Sequence, residues 1–404
     1  HKTLDPVYVS DEGAVLSALK KAKKPFHIRP WPLSVRDEEM DFEFIKHPCL
    51  DNTTLSVPKF YLTEKDTEID APFIGGKLPT PRITRKIGTT SAGEKYSENP
   101  DMRTIFVSVA SYRDWKCRYT VESILGKARH PERIRVGVVD QIEKGDPSCD
   151  VPIVPCGANP GQALCLYHDQ IDIYEMDSSL AVGPIFARHV SQRLYRGEYY
   201  TLQTDSHVNF VQDWDVEIIS QHMRTGNEMA VISTYLSNSV GRIDDRTSRS
   251  TAQDRTVVCN AVYEGYGHER RLRHFAEQQP LSSAKDHPIL QPYWSASFSF
   301  SRGHFLLAVP YDQYLPMIRR EDEQISIGIR AFTFGYDFYA PATDVCFDSS
   351  ATSDRKTRKT FLEHRSLYQG EEDKSFARMD FIMGWGESAQ WFSRRMVGST
   401  RIQC

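Results

Sequence analysis

From Thr104 onward, the chain alternates short apolar runs, rich in β-branched residues, with stretches of helical periodicity. The first run covers Thr104 to Ala110, a helical stretch covers Thr120 to Ala128, and a second run covers Ile134 to Val139. Strand, helix and strand at this spacing predict a βαβ unit with parallel strands. The pattern therefore predicts an α/β domain with a parallel sheet.

The alternation continues through the middle of the chain. It predicts three further strands and two helices, over Asp172 to Met176, Tyr199 to Thr204 and Met229 to Tyr235, and over Gly183 to Arg196 and Asp215 to Arg224. This order is typical of nucleotide-binding domains, yet the sequence contains neither G-x-G-x-x-G after the first strand nor G-x-x-x-x-G-K-[ST] anywhere. A bound diphosphate would need positive charge from another source.

The second half of the chain is less regular. Ser237 to Pro292 is polar and basic, and we interpret it as loops that either bind a second substrate or form a solvated face. Beyond it, the pattern predicts a strand, a helix, a strand and a late helix, over Trp294 to Phe300, Gln324 to Thr333, Thr343 to Phe347 and Phe376 to Met383. Glu321, Asp322 and Glu323 open the first of these helices, as the helix dipole favours.

The 404 residues divide by character into three parts. Residues 1–100 contain one amphipathic helix, Ser10 to Lys24, and then Pro-punctuated and polar segments. We expect them to form an N-terminal extension that wraps the main domain of residues 101–385, with a disordered stem as the alternative. Residues 386–404 are expected to form a C-terminal tail.

Composition narrows the class of protein. The net charge of −4 gives no reason to expect a nucleic-acid partner or an anionic membrane surface. No apolar run reaches the roughly 18 residues that span a bilayer, so we expect no direct membrane contact. The chain begins with His1 and not with Met, so removal of an N-terminal anchor or signal stays open.

The eight cysteines contain no C-x-x-C pair, which argues against a zinc knuckle. Cys149, Cys156 and Cys165 lie in a Pro/Gly-rich region, which favours disulfides. Asn52-Thr53-Thr54 is an N-glycosylation sequon. Together these features favour a Golgi or other secretory lumen over the alternative, the cytoplasm.

The run Tyr199 to Thr204 ends abruptly on Asp205-Ser206-His207. An Asp and a His two positions apart, where a strand leaves the sheet, can turn both side chains toward one point. A carboxylate oxygen and an imidazole nitrogen are suitable ligands for a divalent cation such as Mn²⁺ or Mg²⁺, and a diphosphate could fill other positions. Arg188 is the candidate arginine for the same diphosphate.

Further motifs accompany this one between about residues 103 and 385. They are Val109-Ala-Ser-Tyr-Arg-Asp114 with Cys117 and Thr120; Gly183 with Ala187-Arg188; Leu202-Gln-Thr-Asp-Ser-His207 with Phe210 and Trp214-Asp215; Val309-Pro-Tyr-Asp312; Glu323 with Arg330; and Gly335-Tyr-Asp-Phe-Tyr-Ala-Pro341. As an ordered set they resemble the protein O-α-N-acetylglucosaminyltransferases that modify hydroxyproline or threonine in polypeptides.

This resemblance implies a GT-A-type fold, in which a Rossmann-like central mixed sheet is flanked by helices. It implies a divalent cation that is usually Mn²⁺, a UDP-sugar donor and retention of anomeric configuration. It also implies a hydroxyl acceptor in a protein or a glycan. By position, it assigns the nucleotide and donor to Ala110, Ser111, Arg113, Asp140, Arg188, Asp205 and Ser206. It assigns the cation to Asp205 and His207, and the donor sugar and acceptor to Glu323 and Asp322, with Arg330 behind them.

Three positions depart from the family pattern. The family has Gly-Glu-Glu where this chain has Asp322-Glu323-Gln324, and an aromatic residue where this chain has Asp140. It also has a histidine, a plausible third metal ligand, where this chain has Asp348. A carboxylate can replace an imidazole at a Mn²⁺ site, so we expect Asp348 as the third ligand, with His364 as a weaker alternative.

Two other classes of protein compete with a transferase. A glycoside hydrolase would use Glu321, Asp322 or Glu323 and would need neither nucleotide nor Mn²⁺. A catalytically altered, lectin-like relative, marked by Gln324 and Asp348, would bind UDP and turn nothing over. Turnover of UDP-sugars with and without Mn²⁺ separates the three classes.

Overall fold

The structure is a computed structural model that describes residues 42–60, 103–264, 271–281, 287–318, 320–350 and 359–382. The expected helix over Ser10 to Lys24 and the tail of residues 386–404 lie outside these ranges. The division into extension, main domain and tail stays a prediction.

The described strands are β1 Phe42–His47, β2 Leu50–Pro58, β3 Ile105–Tyr112, β4 Ile134–Ile142, β5 Ile171–Asp177, β6 Tyr200–Asp205, β7 Val208–Phe210, β8 Ala230–Ser233, β9 Asp254–Glu264, β10 Arg271–Pro280, β11 Ile289–Gln291, β12 Phe298–Arg302, β13 Asp337–Ala340 and β14 Cys346–Asp348. The α-helices are α1 Cys117–Gly126, α2 Ala163–Leu166, α3 Pro184–Gln192, α4 Trp214–Arg224, α5 His304–Ala308, α6 Arg320–Thr333 and α7 Glu371–Ile382. Short 3₁₀ helices include Ser178–Leu180 and Phe361–Tyr368.

An eight-stranded mixed sheet forms the centre of the molecule, in the order β11-β13-β8-β12-β6-β3-β4-β5. The strands β6, β3, β4 and β5 are parallel, and β12 runs antiparallel between β6 and β8. Strand β4 is buried at every position because helices and the β1–β2 hairpin cover its faces. The predicted α/β fold with a central mixed sheet is confirmed.

Two apolar clusters fill the two faces of the sheet. On one face, α1 and α4 pack against β3, β4 and β6, through residues such as Val121, Ile218 and Leu202. On the other, Phe106 packs with Leu194 and with residues of α5 and α6. Gly137 on β4 is required here, because a Cβ atom would lie 2.6 Å from the Phe106 ring.

The first described segment is the antiparallel β1–β2 hairpin. Its buried residues Leu50, Leu55 and Val57 pack in a cluster with Val139 and Tyr174 of the central sheet. The β1–β2 hairpin therefore contributes to the core.

The loop interpretation of Ser237 to Pro292 is wrong in part. This region contains β9 and β10, which form an antiparallel hairpin with a bulge at Phe275, and the edge strand β11. Residues 255–261 of β9 are buried, including Arg255, whose Nη1 donates to the carbonyl of His287 over 2.9 Å. In the sequence, Arg255 indicated a solvated loop, but in the structure it is a buried residue of β9 with a backbone partner.

Several other element boundaries shift by a few residues. Helix α3 ends at Gln192 and not at Arg196, and β12 begins at Phe298 and not at Trp294. The late strand covers Cys346–Asp348, which brings Asp348 into the pairing with β7. In the described part of the chain, the structure has no helix with the length and hydrophobicity of a bilayer-spanning segment.

Candidate active site

The carboxyl ends of β3, β4 and β6 meet at one edge of the sheet. The parallel register pairs Ala110 with Asp205 and Ser111 with Asp140. Ser111 and Asp140 are buried, whereas Ala110 and Asp205 are half-buried. Ligands of open α/β sheets bind at such edges, because the chain leaves the sheet there and exposes backbone and side-chain polar groups.

Asp140 is held by the loop that follows β4. Its Oδ2 accepts the backbone N–H of Cys149 over 2.9 Å. Burial raises the pKa of Asp140 to about 7, and the Cys149 N–H opposes this shift. Cys149 forms a disulfide with Cys117 at the start of α1, which ties this loop to the helix.

Arg188 connects two of the expected site carboxylates. Its Nη2 donates to Asp205 Oδ1 over 2.8 Å, and its Nη1 donates to Glu323 Oε1. Helix α3 positions it, with Pro184 in the first turn after Gly183, whose φ of 110° lies in the region that favours glycine. Burial opposes the charge of Arg188, but Glu323 and Asp205 outweigh it and raise its pKa. The guanidinium is a fixed positive charge at the strand ends.

Glu323 lies near the start of α6 and is buried. Its Oε1 accepts hydrogen bonds from Arg188 and, over 2.7 Å, from the hydroxyl of Tyr311. Its Oε2 is buried and accepts no hydrogen bond within the described part of the chain. Asp322, beside it, is also buried. The structure therefore brings Glu323, Arg188 and Asp205 together and leaves one buried carboxylate oxygen without a hydrogen-bond partner among the described residues.

Arg330, which the resemblance places behind Glu323, lies on α6 and binds a neighbouring loop. Its Nη1 donates to the carbonyl of Pro310 over 2.7 Å, next to Tyr311. Burial lowers the pKa of Arg330 from its usual value. Arg330 thus holds the loop that carries Tyr311 and does not contact Glu323 through this bond.

His207 follows β6 and is oriented by Asp114. Its Nδ1 lies 2.9 Å from Asp114 Oδ2, which also accepts the hydroxyl of Ser206 over 2.9 Å. The hydroxyl of Thr120 on α1 donates to the carbonyl of Ser206 over 2.8 Å and fixes the turn between Asp205 and His207. The expected ligand His207 therefore lies at the same edge of the sheet as Asp205.

The chemistry of this donor set fits a divalent cation. An ionised Asp114 accepts only, so Nδ1 of His207 carries the proton and Nε2 keeps the lone pair that a metal uses. Carboxylate partners of this kind are usual behind metal-bound histidines. Asp205 and His207 would hold the ion, and Arg188 shares the Asp205 carboxylate.

Asp348, the expected third ligand, lies on the strand next to His207. Strand β14 pairs Asp348 with Val208, and the N–H and hydroxyl of Ser349 both donate to the carbonyl of His207 over 2.8 Å. Asp348 Oδ1 accepts the N–H of Ser350 over 2.6 Å. Asp348 is thus a neighbour of the site in the sheet, with one oxygen used for a turn.

A second acidic cluster surrounds Arg113. Its Nε donates to Asp146 over 2.8 Å, its Nη1 to Glu363 over 2.9 Å, and its Nη2 lies 3.0 Å from Glu143. Glu143, Glu363 and His364 offer ligand atoms within 4.8 Å of one another, and they are the one such group of three among the described residues. Arg113 forms ion pairs with both glutamates. His364, the alternative third metal ligand, lies in this cluster around Arg113.

Glu363 brings the 3₁₀ helix of residues 361–368 onto the sheet edge. Its Oε1 also accepts the hydroxyl of Tyr112 over 2.5 Å. The hydroxyl of Tyr368, at the other end of this helix, donates to the carbonyl of Ser179 over 2.5 Å. Arg113, expected beside the nucleotide, is therefore engaged by carboxylates from the loop after β4 and from this later segment.

Sequence reasoning assigned no role to Asp114, Tyr311 or Glu363. Asp114 and Tyr311 stand within the motifs Val109 to Asp114 and Val309 to Asp312, but neither motif names a partner. Glu363 has no signal in the sequence, because its partners are about 250 positions earlier in the chain.

Comparison with solved structures gives distant matches. The chain is similar to GalNAc-T7, crystallised with UDP, GalNAc and Mn²⁺, with 11% identity and a TM-score of 0.46 over 69% of this chain and 48% of that one. It thus spans about half the length of that chain. S. aureus TarS 1–349 with UDP-GlcNAc gives 13% identity and a TM-score of 0.36, with coverage of 72% of this chain and 76% of that one. The mannosyltransferase PcManGT from Pyrobaculum calidifontis, with GDP-Man and Mn²⁺, gives 10% identity and a TM-score of 0.36, with coverage of 74% and 84%.

Comparison of the sequence with protein families is decisive. No curated protein matches the chain. The family described as Glycosyltransferase (GlcNAc), however, matches residues 104–156 and 153–400, which include every strand of the central sheet and both Asp205 and Glu323. A match over more than half of the chain shows membership, and this protein belongs to the GlcNAc glycosyltransferase family.

Proposed function

We propose that this protein is a retaining, metal-dependent glycosyltransferase. Its donor is a UDP-sugar, UDP-N-acetylglucosamine first of all, and its acceptor is a hydroxyl group of serine, threonine or hydroxyproline in a protein, or of a glycan. The family supports a GlcNAc donor, and the resemblance of the motifs supports a polypeptide acceptor. Its cation is Mn²⁺, or another divalent ion such as Mg²⁺.

One observation carries the proposal. Arg188 joins Asp205, at the end of β6, to Glu323, in the first turns of α6, through hydrogen bonds to both carboxylates. The candidate metal ligand Asp205 and the candidate sugar-binding residue Glu323 thus share the buried guanidinium of Arg188. A diphosphate and the sugar attached to it need these two functions side by side.

The chemistry needs positive charge more than a covalent catalyst. As the bond between sugar C1 and the phosphate oxygen breaks, the UDP leaving group gains negative charge. Mn²⁺, when bound, supplies positive charge to the diphosphate. The guanidinium of Arg188 is preorganised at the same edge by two carboxylates. Because it is already in place, the guanidinium does not have to reorient when negative charge develops on the leaving group.

Retention follows from attack on the face that the leaving group vacates. The acceptor oxygen forms a bond to C1, the C1–phosphate oxygen bond breaks, and the acceptor proton passes to the departing phosphate. Glu323 orients a hydroxyl or stabilises the positive charge at C1 in this scheme. This reaction needs no second catalytic carboxylate, whereas a glycoside hydrolase uses a pair of carboxylates.

The cysteines support a secretory compartment for this activity. The structure has the disulfides Cys117–Cys149 and Cys156–Cys165. Disulfides persist in oxidising compartments and are rare in the cytosol. They support a Golgi or secretory lumen as the site of action.

The test is release of UDP from a panel of UDP-sugars, each with Mn²⁺ or with EDTA. The panel includes UDP-GlcNAc, UDP-GalNAc, UDP-Gal and UDP-Glc, with threonine, serine and hydroxyproline peptides as acceptors. Mn²⁺-dependent release with one preferred donor, and an α-linked product, is expected. Binding of UDP without any turnover would identify an altered relative, and hydrolysis of a simple aryl glycoside in EDTA would identify a hydrolase.

A further inference from the structure

Tyr311 is a buried residue whose hydroxyl contacts the candidate active site. It is 3% exposed, and its hydroxyl donates to Glu323 Oε1 over 2.7 Å. Burial, together with the Glu323 carboxylate, raises the pKa of Tyr311 well above its usual value. The phenol therefore stays protonated and is a permanent donor to Glu323.

Helix α3 holds the backbone of Tyr311 at two points. The N–H of Tyr311 donates to Gln192 Oε1 over 2.8 Å. Its carbonyl lies 2.7 Å from His189 Nδ1, and Arg193 Nε donates to His189 Nε2 over 3.1 Å. Because Nε2 accepts, Nδ1 must carry the proton and donate to Tyr311. Burial and the Arg193 charge lower the pKa of His189 to about 4, so this neutral tautomer persists at neutral pH.

A third contact fixes the preceding peptide. Arg330 on α6 donates to the carbonyl of Pro310 over 2.7 Å. The loop is thus held between α3, which carries Arg188, and α6, which carries Glu323. Every one of these contacts restricts the direction of the phenol.

The consequence for Glu323 is geometric. Two donors, Arg188 and Tyr311, share Oε1, while the buried Oε2 accepts no hydrogen bond from the described residues. With Arg188 alone, the carboxylate could pivot about a single contact. With both donors on one oxygen, the orientation of the carboxylate is fixed, so the other oxygen, Oε2, keeps one direction.

We infer that Tyr311 is a positioning residue that aims Glu323 Oε2 at a substrate hydroxyl. A carboxylate oxygen only accepts hydrogen bonds, so its partner must be a hydrogen-bond donor. That partner is a hydroxyl of the UDP-sugar or of the molecule that receives the sugar. This inference rests on the glycosyl transfer proposed above. It adds a residue that acts through Glu323 and does not itself touch the substrate.

The experiment is a double-mutant cycle of Tyr311→Phe and Glu323→Gln, with Tyr336→Phe as the matched control. Tyr336 is 1% exposed and lies in the same apolar cluster, and its hydroxyl is 2.7 Å from His304 Nδ1, not from a site residue. For each variant, UDP release from UDP-GlcNAc with Mn²⁺ gives kcat and KM, with and without a threonine peptide. Melting temperature and affinity for UDP with Mn²⁺ are measured in parallel.

Tyr311→Phe is expected to lower kcat about 10- to 100-fold with donor KM changed less than about twofold, because orientation is lost and donor binding is not. Tyr336→Phe is expected to lower the melting temperature by about as much as Tyr311→Phe does, and to leave kcat within about twofold of the wild-type value. In the Glu323→Gln background, Tyr311→Phe should add less than about a twofold effect. A loss of both hydrolysis and transfer identifies a donor-sugar hydroxyl, whereas a loss of transfer alone identifies the acceptor hydroxyl.

Additive effects in the cycle, or an equal loss of kcat in Tyr336→Phe, would overturn the inference. An active wild type with a fully active Tyr311→Phe variant would reject the role of Tyr311 and leave the proposed function intact. A wild type that releases no UDP from any donor would reject the proposed function, and this inference with it.

Discussion

Nδ1 of His207 lies 2.9 Å from Oδ2 of Asp114, a residue 93 positions earlier in the chain. Burial alone would raise the pKa of Asp114, but the hydrogen bond and charge of His207 and the N–H of Lys116 outweigh burial and lower it. The carboxylate is therefore ionised and accepts from Nδ1. The orientation of His207 is set before any ion binds.

Asp114→Asn should weaken Mn²⁺ binding. An amide can present its NH₂ group to His207 and reverse the tautomer, as well as remove the charge behind the imidazole. We expect affinity to fall about 10- to 100-fold, the usual effect of changing the partner of a metal-bound histidine. Titration calorimetry with Mn²⁺ and UDP measures it. Asp177→Asn, which changes only a cap on Ser179, is the control and should bind as wild type does.

Asp205→Ala should abolish Mn²⁺-dependent transfer while the fold stays intact. The change removes a candidate ligand and one of the two carboxylates on Arg188. UDP release should fall at least about 100-fold, since charge stabilisation at the leaving group is lost. Asp337→Ala, at the opposite edge of the sheet, should retain activity. Unchanged turnover in Asp205→Ala would contradict the assignment.

Asp344→Asn should stabilise the protein at high pH. Asp344 is buried, neither of its oxygens has a hydrogen-bond partner among the described residues, and burial raises its pKa to about 7. The folded chain thus holds a proton that the unfolded chain has released above its ordinary pKa of 3.8. Wild-type stability therefore falls as pH rises from about 4 to about 7, and stays reduced above that range.

An asparagine removes this cost because it does not ionise. Relative to wild type, the free energy of unfolding should rise by about 2 to 4 kcal/mol at pH 8, with little difference near pH 4. Urea unfolding at both pH values measures it. A stabilisation that is equal at the two pH values would show that packing, and not proton release, is responsible.

The disulfide Cys117–Cys149 should matter more than Cys156–Cys165. The bonds close loops with sequence separations of 32 and 9 residues. Chain-entropy arguments give losses of about 3.7 and 2.6 kcal/mol when each pair is replaced by serines. The first pair also ties α1, which follows Asp114, to the loop that holds Asp140. Only its removal should weaken Mn²⁺ binding in the calorimetric assay.

The parallel half of the sheet could be predicted from the sequence because β3 and β4 are largely apolar, and β5 and β6 are short runs that contain β-branched and aromatic residues. Strands β3, β4, β5 and β6 all fall within a few residues of their predicted bounds, and burial on both faces explains their composition. The β9–β10 hairpin was missed because its exposed strand β10 carries charged residues between half-buried ones. Polar composition hides strands that have one solvated face.

The site itself was only partly predictable. Asp205 and His207 are two positions apart at the end of a predicted strand, so the motif is visible in the sequence. The contact of Arg188 with Glu323 joins residues 135 positions apart through the packing of α3 and α6. No local pattern specifies such a distance. The same is true of Tyr311, whose role depends on where its loop lies between two helices.

The bonds from Tyr112 and Arg113 to Glu363 have a consequence for biosynthesis. A chain that leaves the ribosome forms β3 some 250 residues before the carboxylate that completes the edge of that strand is made. Arg113 must first be balanced by the nearer Glu143 and Asp146. The edge around Arg113 is therefore completed in two stages, and the bonds to Glu363 form only after the segment of residues 361–368 has been made.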